Sequence, residues 1–461
     1  MSPFPSQLSG STYHIITFGC QMNKSDSERV DGMLGALGGE AVATQDEADI
    51  IVFMTCCVRE AADVRLYGQV ASLKNSRALV VVGGCIGQRD GAELAAKMPH
   101  VGVVFGTHNL ASLPALIMEA LEAKDKKPVV EVISNKDATA FNRSPAGTDT
   151  PVTREHFWHA WLPIMTGCNN FCSYCVVPYV RGRERSMPFE EVLQESKRLV
   201  GDGVREITLL GQNVNAYGHD LYGGSRFAEL LLAVGECGVE RLRFVTSHPK
   251  DLTEDTIKAF AELPSLMPAL HLPAQSGSNR ILEAMNRRYT AEHYLHLVEQ
   301  VRCASAAAGK EPVAFSTDII VGYPGETEED FEQTMALVKA VGFAQAFTFI
   351  YSMRSGTPAA ELAAELADET PREMIQERFD RLVELVQESA WTFNQQFLGT
   401  EVLTLFEGAS KRDSSVLAGR GPQNQTVHAP LPKGKSSADF VGELLPVRIS
   451  EAKTWYLSGT L

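Results

Sequence analysis

Apolar residues along this chain fall into short runs separated by stretches with helical spacing. Runs at 13–18, 50–54, 79–82 and 101–105 are rich in Val, Ile, Phe and Tyr and read as strands. Between them, 26–37 fits a helix, with Ser25 and Glu28 as a capping box and Gly38-Gly39 as its stop. Further helical stretches run up to 74, over 89–97 and over 110–123. Strand and helix alternating at this pace predict a parallel α/β domain. Residues 134–155, rich in Ser, Thr, Asn, Pro and Gly without a period, read as a linker. Alternation resumes with strand-like runs at 161–165, 206–210, 241–245, 269–272, 313–321 and 345–351. Helices are expected between them near 190–200, 228–234, 254–263, 291–307 and 328–341. Six such βα units predict a partial or closed barrel, and a long amphipathic helix over 371–397 ends it. Short β runs at 402–406, 416–419, 426–429, 444–449 and 455–457 predict a five-stranded barrel of OB type. The expected domains are therefore 1–147, 148–394 and 395–461.

The composition changes this picture little. Of 461 residues, 44% are hydrophobic and 21% charged, the balance of a soluble globular chain. No uncharged apolar run approaches the ~18 residues that span a bilayer; the longest lies near 50–58. The N-terminus MSPFPSQLSG lacks a basic segment followed by an apolar stretch, so a cytoplasmic protein without a membrane partner is expected. Nothing in the sequence demands more than a monomer.

Charge matters more. With 42 Lys and Arg against 57 Asp and Glu the net charge is −15, which opposes general polyanion binding. It is unevenly spread: residues 1–150 carry 13 basic and 17 acidic side chains, 151–394 carry 22 and 34, and 395–461 carry 7 and 6. The acidity belongs to the middle domain, and the tail is free of it.

The nine cysteines point to chemistry. An odd, clustered set without a secretory signal favours metal binding or redox work over a disulfide framework. Cys168, Cys172 and Cys175 stand in T-G-C-N-N-F-C-S-Y-C, directly after the first strand of the barrel-like domain, where βα loops hold active sites. A structural zinc site closes with four ligands, and no fourth Cys or His follows at short distance. An iron–sulfur cluster held by three thiolates leaves one iron open. Spacing alone divides evenly between zinc and iron–sulfur.

A second set is dispersed in sequence but equivalent in architecture. Cys20, Cys56 and Cys85 each follow a strand of the first domain, and in an open parallel sheet such positions gather along one edge. Any one of them alone reads as an ordinary small buried residue; three at equivalent positions, with Gly19 and Gly83-Gly84 allowing close backbone approach, favour a three-thiolate site. Cys57 competes with Cys56, and strand alternation would let only one of the two face the site. Cys237 and Cys303, on predicted helices, are read as structural.

These segments resemble a known family. The C-x3-C-x2-C loop with Tyr174 before its last cysteine resembles the radical S-adenosylmethionine signature. The segments TGCNNFCSYCVVPYVRGRERS (166–186), HLPAQSGSNRILEAMNRRYT (271–290) and STDIIVGYPGETEEDF (316–331) resemble the methylthiotransferase branch, and FEGASKR with GRGPQNQTV resembles its terminal TRAM domain. Cys20 in G-C-Q-M-N is similar to the tRNA-2-methylthio-N6-dimethylallyladenosine synthase (MiaB) type. The branch acting on a ribosomal protein side chain has Pro-Lys where Gln21-Met22 stand.

The resemblance implies a methylthiotransferase domain, a partial TIM-type (βα)6 radical SAM barrel and a small OB-like TRAM barrel. It implies two [4Fe–4S] clusters. One, on Cys168, Cys172 and Cys175, would cleave S-adenosylmethionine to a 5′-deoxyadenosyl radical. The other, on Cys20, Cys56 and Cys85, would supply the sulfur for a methylthio group at adenine C2. The small residue usual after the second ligand is here Cys57, while T-C-x-V-R still favours Cys56. The implied partners are a tRNA anticodon stem-loop, an electron donor such as flavodoxin or ferredoxin, and sulfur- or cluster-supply proteins. The alternatives are a methylthiotransferase for a ribosomal protein and a non-catalytic, zinc-dependent RNA-binding protein.

Polar loops at the predicted barrel mouth could hold the cofactor's amino acid and ribose, with Tyr174, Asn213, Gln275 and Asp318 as the expected contacts. G-K-S at 434–436 is not a phosphate loop, because Ala429 stands where that pattern needs Gly. For RNA phosphates the candidates are Arg181, Arg183 and Arg185 after the cysteine loop, and Lys411, Arg412, Arg420, Lys433 and Lys435 in the tail. A structured RNA loop with one base splayed out fits both groups.

Overall fold

A computed structural model describes residues 7–57, 60–123, 127–134, 151–310, 312–366 and 370–461. Most of the predicted linker, the expected 147/148 boundary, and Val58 and Arg59 of the second cysteine motif lie outside the described residues.

Six strands form the first sheet: β1 (Thr12–Thr17), β2 (Glu40–Ala41), β3 (Ile50–Thr55), β4 (Leu79–Gly84), β5 (Val101–Phe105) and β6 (Val129–Glu131). All pairs are parallel, in the order β2-β1-β3-β4-β5-β6. Central β3 is buried along its whole length, which is why it reads as an unbroken apolar run. Helices α1 (Gln21–Ala36), α2 (Glu60–Ser72), α3 (Cys85–Lys97) and α4 (Leu113–Glu122) complete the βα units. Strands β2 and β6, two and three residues long, are too short to show a period and were not expected from the sequence.

The first helix starts earlier than the sequence suggests. Cys20, not Ser25, is its N-cap residue, and Ser25 is buried in its second turn. Glu28 does not close a capping box. Its Oε1 accepts the Glu155 N–H at 3.1 Å, where the chain crosses α1 on entering the second domain. The crossing is close: a Cβ at Gly32 would lie 2.1 Å from the Pro151 carbonyl oxygen.

The second domain is an open barrel. Strands β7 (His159–Pro163), β10 (Glu206–Leu210) and β11 (Arg241–Phe244) form one parallel sheet. Strands β12 (Ala269–His271), β13 (Ala314–Val321) and β14 (Gln345–Ile350) form the other. Among the described residues, an isolated bridge, Leu242 with Leu266, runs between the two sheets. Helices α5 (Val177–Val180), α6 (Phe189–Gly201), α7 (His219–Tyr222), α8 (Phe227–Gly235), α9 (Glu254–Glu262), α10 (Asn279–Ala284), α11 (Ala291–Ala307), α12 (Glu328–Val341) and α13 (Pro358–Leu366) connect and cover the strands. A short antiparallel pair, β8 (Met165–Thr166) with β9 (Arg185–Ser186), is an addition the sequence did not reveal.

The long helix α14 (Arg372–Gln395) leads into a closed barrel of β15 (Glu401–Ala409), β16 (Val416–Arg420), β17 (Thr426–Pro430), β18 (Leu444–Ala452) and β19 (Tyr456–Thr460), in the order β15-β16-β17-β19-β18. Arg241 and Arg243 fix it to the larger barrel. They donate to the Arg420 carbonyl at 2.9 Å, to the Gly421 carbonyl at 2.8 and 2.9 Å, and to the Pro422 carbonyl at 3.1 Å. Buried Glu206 pairs with both arginines at 3.0 Å. No described helix is long and apolar enough to cross a membrane.

Candidate metal centres

The cysteine loop leaves β8 and returns through α5 to β9, so the short hairpin closes its base. Gly167 has φ +78°, and a Cβ there would lie 2.0 Å from the Arg183 carbonyl oxygen, so glycine is needed for the two arms to approach. The Cys168 N–H donates to the Gly182 carbonyl at 3.1 Å and the Cys175 N–H to the Cys172 carbonyl at 2.9 Å. Asn286 Nδ2 donates to the Asn170 and Phe171 carbonyls at 3.2 and 2.9 Å and holds the kink between the cysteines. Behind the loop, buried Arg287 donates to Cys172 Sγ at 3.3 Å, to the Pro273 carbonyl at 2.8 Å and to the Tyr289 hydroxyl at 3.0 Å. Burial pushes the Cys168 and Cys175 thiols up to about 12. Such thiols stay protonated at neutral pH unless a bound cation takes the thiolates.

The second set also comes together. Cys20 caps α1, Cys56 directly follows β3, and Cys85 opens α3 after β4. Gly19 has φ +102°, and a Cβ there would lie 2.3 Å from Cys56 Cβ and 2.7 Å from its Sγ. At Gly84, φ +88°, a Cβ would lie 2.8 Å from the Thr55 carbonyl oxygen. The expected need for glycine beside these cysteines is therefore met by specific close approaches. A hydrogen bond from Cys56, aided by the Arg181 charge, lowers the Cys20 thiol to about 6. A hydrogen bond from Cys57, again with Arg181, lowers Cys85 to about 7.

Cys57 corrects the alternation argument. Both Cys56 and Cys57 reach the set, because β3 ends at Thr55 and pleat alternation no longer governs the residues beyond it. Among the described residues no two cysteines form a disulfide. Cys237 lies just past the end of α8 and donates to the Ala233 carbonyl at 3.4 Å, whereas Cys303 is exposed on α11. Among the described residues, no three Cys, His, Asp or Glu side chains converge closely enough to share a single ion. A mononuclear zinc site requires that convergence; thiolates on separate irons of a cluster do not.

Polar groups surround the barrel mouth above the cysteine loop. Asn213 donates Nδ2 to Asp251 at 2.7 Å, while its Oδ1 is buried without a partner. Both amide atoms of Asn215, Ser247 Oγ and His248 Nε2 are likewise buried and unpartnered. Asn215 was not singled out from the sequence, since one Asn in a turn carries no distinguishing signal. Gln275 is buried at φ +68°, and its N–H donates to the Asp318 carbonyl. Asp318 Oδ2 lies 3.5 Å from His271 Nε2. Tyr174 packs against the small cluster around Tyr323 and Met285. These orphaned atoms and half-open carboxylate suit a polar small molecule.

The basic residues divide. Arg183 is exposed and stacks on Phe171, 4.4 Å from its ring centroid, and Arg185 is half-buried. Lys411, Arg412, Lys433 and Lys435 are exposed on the small barrel, and Arg420 is held by Glu407 at 3.1 Å. Arg181 does not fit the expectation of a phosphate contact. It is only 5% exposed, and its Nη2 donates to Asn23 Oδ1 at 3.0 Å and approaches Asp26 Oδ2 at 3.4 Å, across the domain boundary. Asn23, unremarked in the sequence, also donates to the Phe18 and Thr55 carbonyls at 2.6 and 2.8 Å and ties together the ends of β1 and β3.

Residues 162–338 match the model of the Radical SAM superfamily, and residues 12–106 match Uncharacterized protein family UPF0004. The chain is 44% identical to the tRNA-2-methylthio-N(6)-dimethylallyladenosine synthase of Carboxydothermus hydrogenoformans, over 98% of this chain and 99% of the relative. The chain belongs to the tRNA-2-methylthio-N(6)-dimethylallyladenosine synthase family. A family member from Streptomyces viridosporus is 43% identical over 97% of this chain and 86% of its own. Among solved structures, the radical S-adenosylmethionine methyltransferase TsrM from Kitasatospora setae, with cobalamin and a [4Fe–4S] cluster bound, aligns at a TM-score of 0.54 and 13% identity, covering 77% of this chain and 78% of that one. That likeness concerns the fold. As a member of the synthase family this chain is an enzyme of the radical SAM type, with S-adenosylmethionine and [4Fe–4S] clusters as cofactors. The family decides between the zinc and iron–sulfur readings in favour of the clusters, and the two thiol sets fit them.

Proposed function

We propose that this enzyme adds a methylthio group to C2 of N6-dimethylallyladenosine, next to the anticodon at tRNA position 37. The observation that supports the reading is that Arg181, six residues after Cys175, bonds Asn23 and Asp26 on the helix that Cys20 caps. Cys168, Cys172 and Cys175 would hold one [4Fe–4S] cluster, and Cys20, Cys56 and Cys85 the other. When bound, the first supplies the electron that cleaves S-adenosylmethionine, and the second the sulfur that is transferred.

The residues of the chain do the positioning. Arg287 braces Cys172, and Asn286 holds the loop backbone. Asn213, Gln275, Asp318 and Tyr174 would orient the S-adenosylmethionine, joined by Asn215 and His248. Asp318 beside His271 can accept hydrogen bonds from a ribose or ammonium group. Arg183, Arg185 and the basic residues of the small barrel, Lys411, Arg412, Arg420, Lys433 and Lys435, would take the phosphates of an anticodon stem-loop. The units are 1–147, 148–394 and 395–461, working as a monomer in the cytoplasm. Flavodoxin or ferredoxin would deliver electrons, and cluster-supply proteins would restore the sulfur.

Mass analysis of tRNA nucleosides from cells lacking the protein tests this. Loss of the methylthio group, with the dimethylallyl group retained, is expected. Unchanged methylthioadenosine, with a ribosomal protein losing the modification instead, would overturn it.

A further inference from the structure

Arg181 stands six residues after Cys175, yet its guanidinium lies in the other domain. Its Nη2 reaches Asn23 and Asp26 of α1, the helix that Cys20 caps, and Asn23 in turn donates to the Thr55 carbonyl beside Cys56. The charged or ionisable groups around it are Cys20, Cys85 and Asp26. Among the described residues its carboxylate partner, Asp26, is at 3.4 Å, so the better-formed bond is the one to neutral Asn23. A buried cation costs several kcal/mol in desolvation unless anions offset it, and Asp26 alone is a partial offset at that distance. The segment Val176–Val180 that leads to Arg181 also packs in the first domain's core, and Thr107 donates to the Val180 carbonyl at 2.7 Å. The cysteine loop and the Cys20–Cys56–Cys85 edge are thus mechanically joined through one short stretch of chain.

We propose that Arg181 is a positioning residue that couples the two cluster sites and makes the cluster on Cys20, Cys56 and Cys85 easier to reduce. The inference rests on the two-cluster reading above. A fixed positive charge in a low-dielectric boundary stabilises the state with one more electron. Its planar fork, held by Asn23 and Asp26, sets where that charge sits.

The test is an EPR-monitored redox titration of anaerobically reconstituted full-length wild type, Arg181→Lys and Arg181→Met, with iron and sulfide analysis of each. The signal that shifts on adding S-adenosylmethionine belongs to the cluster on Cys168, Cys172 and Cys175, and the unshifted one to the other cluster. Arg181→Met should weaken one-electron reduction of the unshifted cluster about tenfold, a potential lower by about 59 mV. Arg181→Lys should recover most of it, and the shifting signal should stay in place. Loss of half the iron in Arg181→Met but not in Arg181→Lys would also support the charge role. Equal potentials in wild type and Arg181→Met would overturn the inference, as would equal iron loss in both variants. A wild type holding only one cluster would instead overturn the two-cluster reading itself.

Discussion

Gly19→Ala is a sharp test of the site on the first domain. A Cβ at this position would lie 2.3 Å from Cys56 Cβ. Carbon atoms pack at about 3.5 Å or more, so Cys56 and the Gly19-Cys20 turn would have to separate by roughly 1.2 Å. Ligand positions tolerate only about 0.2 Å, so the shift is several times what a set of thiolates can absorb. The φ of +102° adds strain, since a side chain there costs on the order of 1–3 kcal/mol, and overpacking adds about 1–3 kcal/mol more. Gly203 has φ +89° with nothing within 4 Å of its would-be Cβ, so Gly203→Ala carries the backbone term without the clash. After anaerobic reconstitution, wild type and Gly203→Ala should hold about eight irons and Gly19→Ala about four. Gly19→Ala should still cleave S-adenosylmethionine but fail to form methylthiolated tRNA. A Gly19→Ala protein with the full iron complement and normal turnover would refute the reasoning.

Two further outcomes are expected. Cys57→Ser should keep both clusters while Cys56→Ser loses half the iron; the reverse result would make Cys57 the ligand. Burial pushes the Glu28 carboxyl up to about 7 from an ordinary value near 4.5. The folded state therefore holds a proton that the unfolded state releases, and stability from this group falls as pH rises from about 4.5 through 7. Glu28→Gln keeps the acceptor for the Glu155 N–H, so urea unfolding should show a flatter pH dependence over that window; an unchanged slope would contradict it.

The sequence showed the layered architecture because long buried strands such as β3 leave unbroken apolar runs and βα units repeat at a regular pace. It did not show β2, β6 or the β8–β9 hairpin, whose two or three residues carry no periodicity. It placed the start of α1 too late, because Ser25 and Glu28 match a capping box by spacing alone while their side chains are spent on tertiary packing. The cysteines were legible as two sets because each follows a strand. Asn23 and Arg287 were not, because a buried amide or guanidinium is defined by partners far away in the chain. Arg181 was read as an RNA-phosphate contact for the same reason: local context shows three arginines in a row of five residues, and only the fold shows that one of them turns inward.

The placement of the small barrel constrains how an RNA can be used. Arg241 and Arg243 near the start of β11 grip backbone carbonyls of the 420–422 turn, so the attachment depends on main-chain position rather than on exchangeable side-chain pairs. That grip lies toward the N-terminal ends of the strands, and the cysteine loop follows their C-terminal ends. Five-residue β10 separates the two levels by about 17 Å at roughly 3.3 Å per residue. A single nucleotide cannot reach from the basic loops of the small barrel to the mouth, whereas a stem-loop can rest its phosphates on one and present a splayed base to the other. The intervening domain carries most of the net negative charge, 22 basic against 34 acidic side chains over 151–394. That balance disfavours polyanion contact along the domain, in keeping with the contacts proposed at its two ends, and the arginine grip would set the register between them.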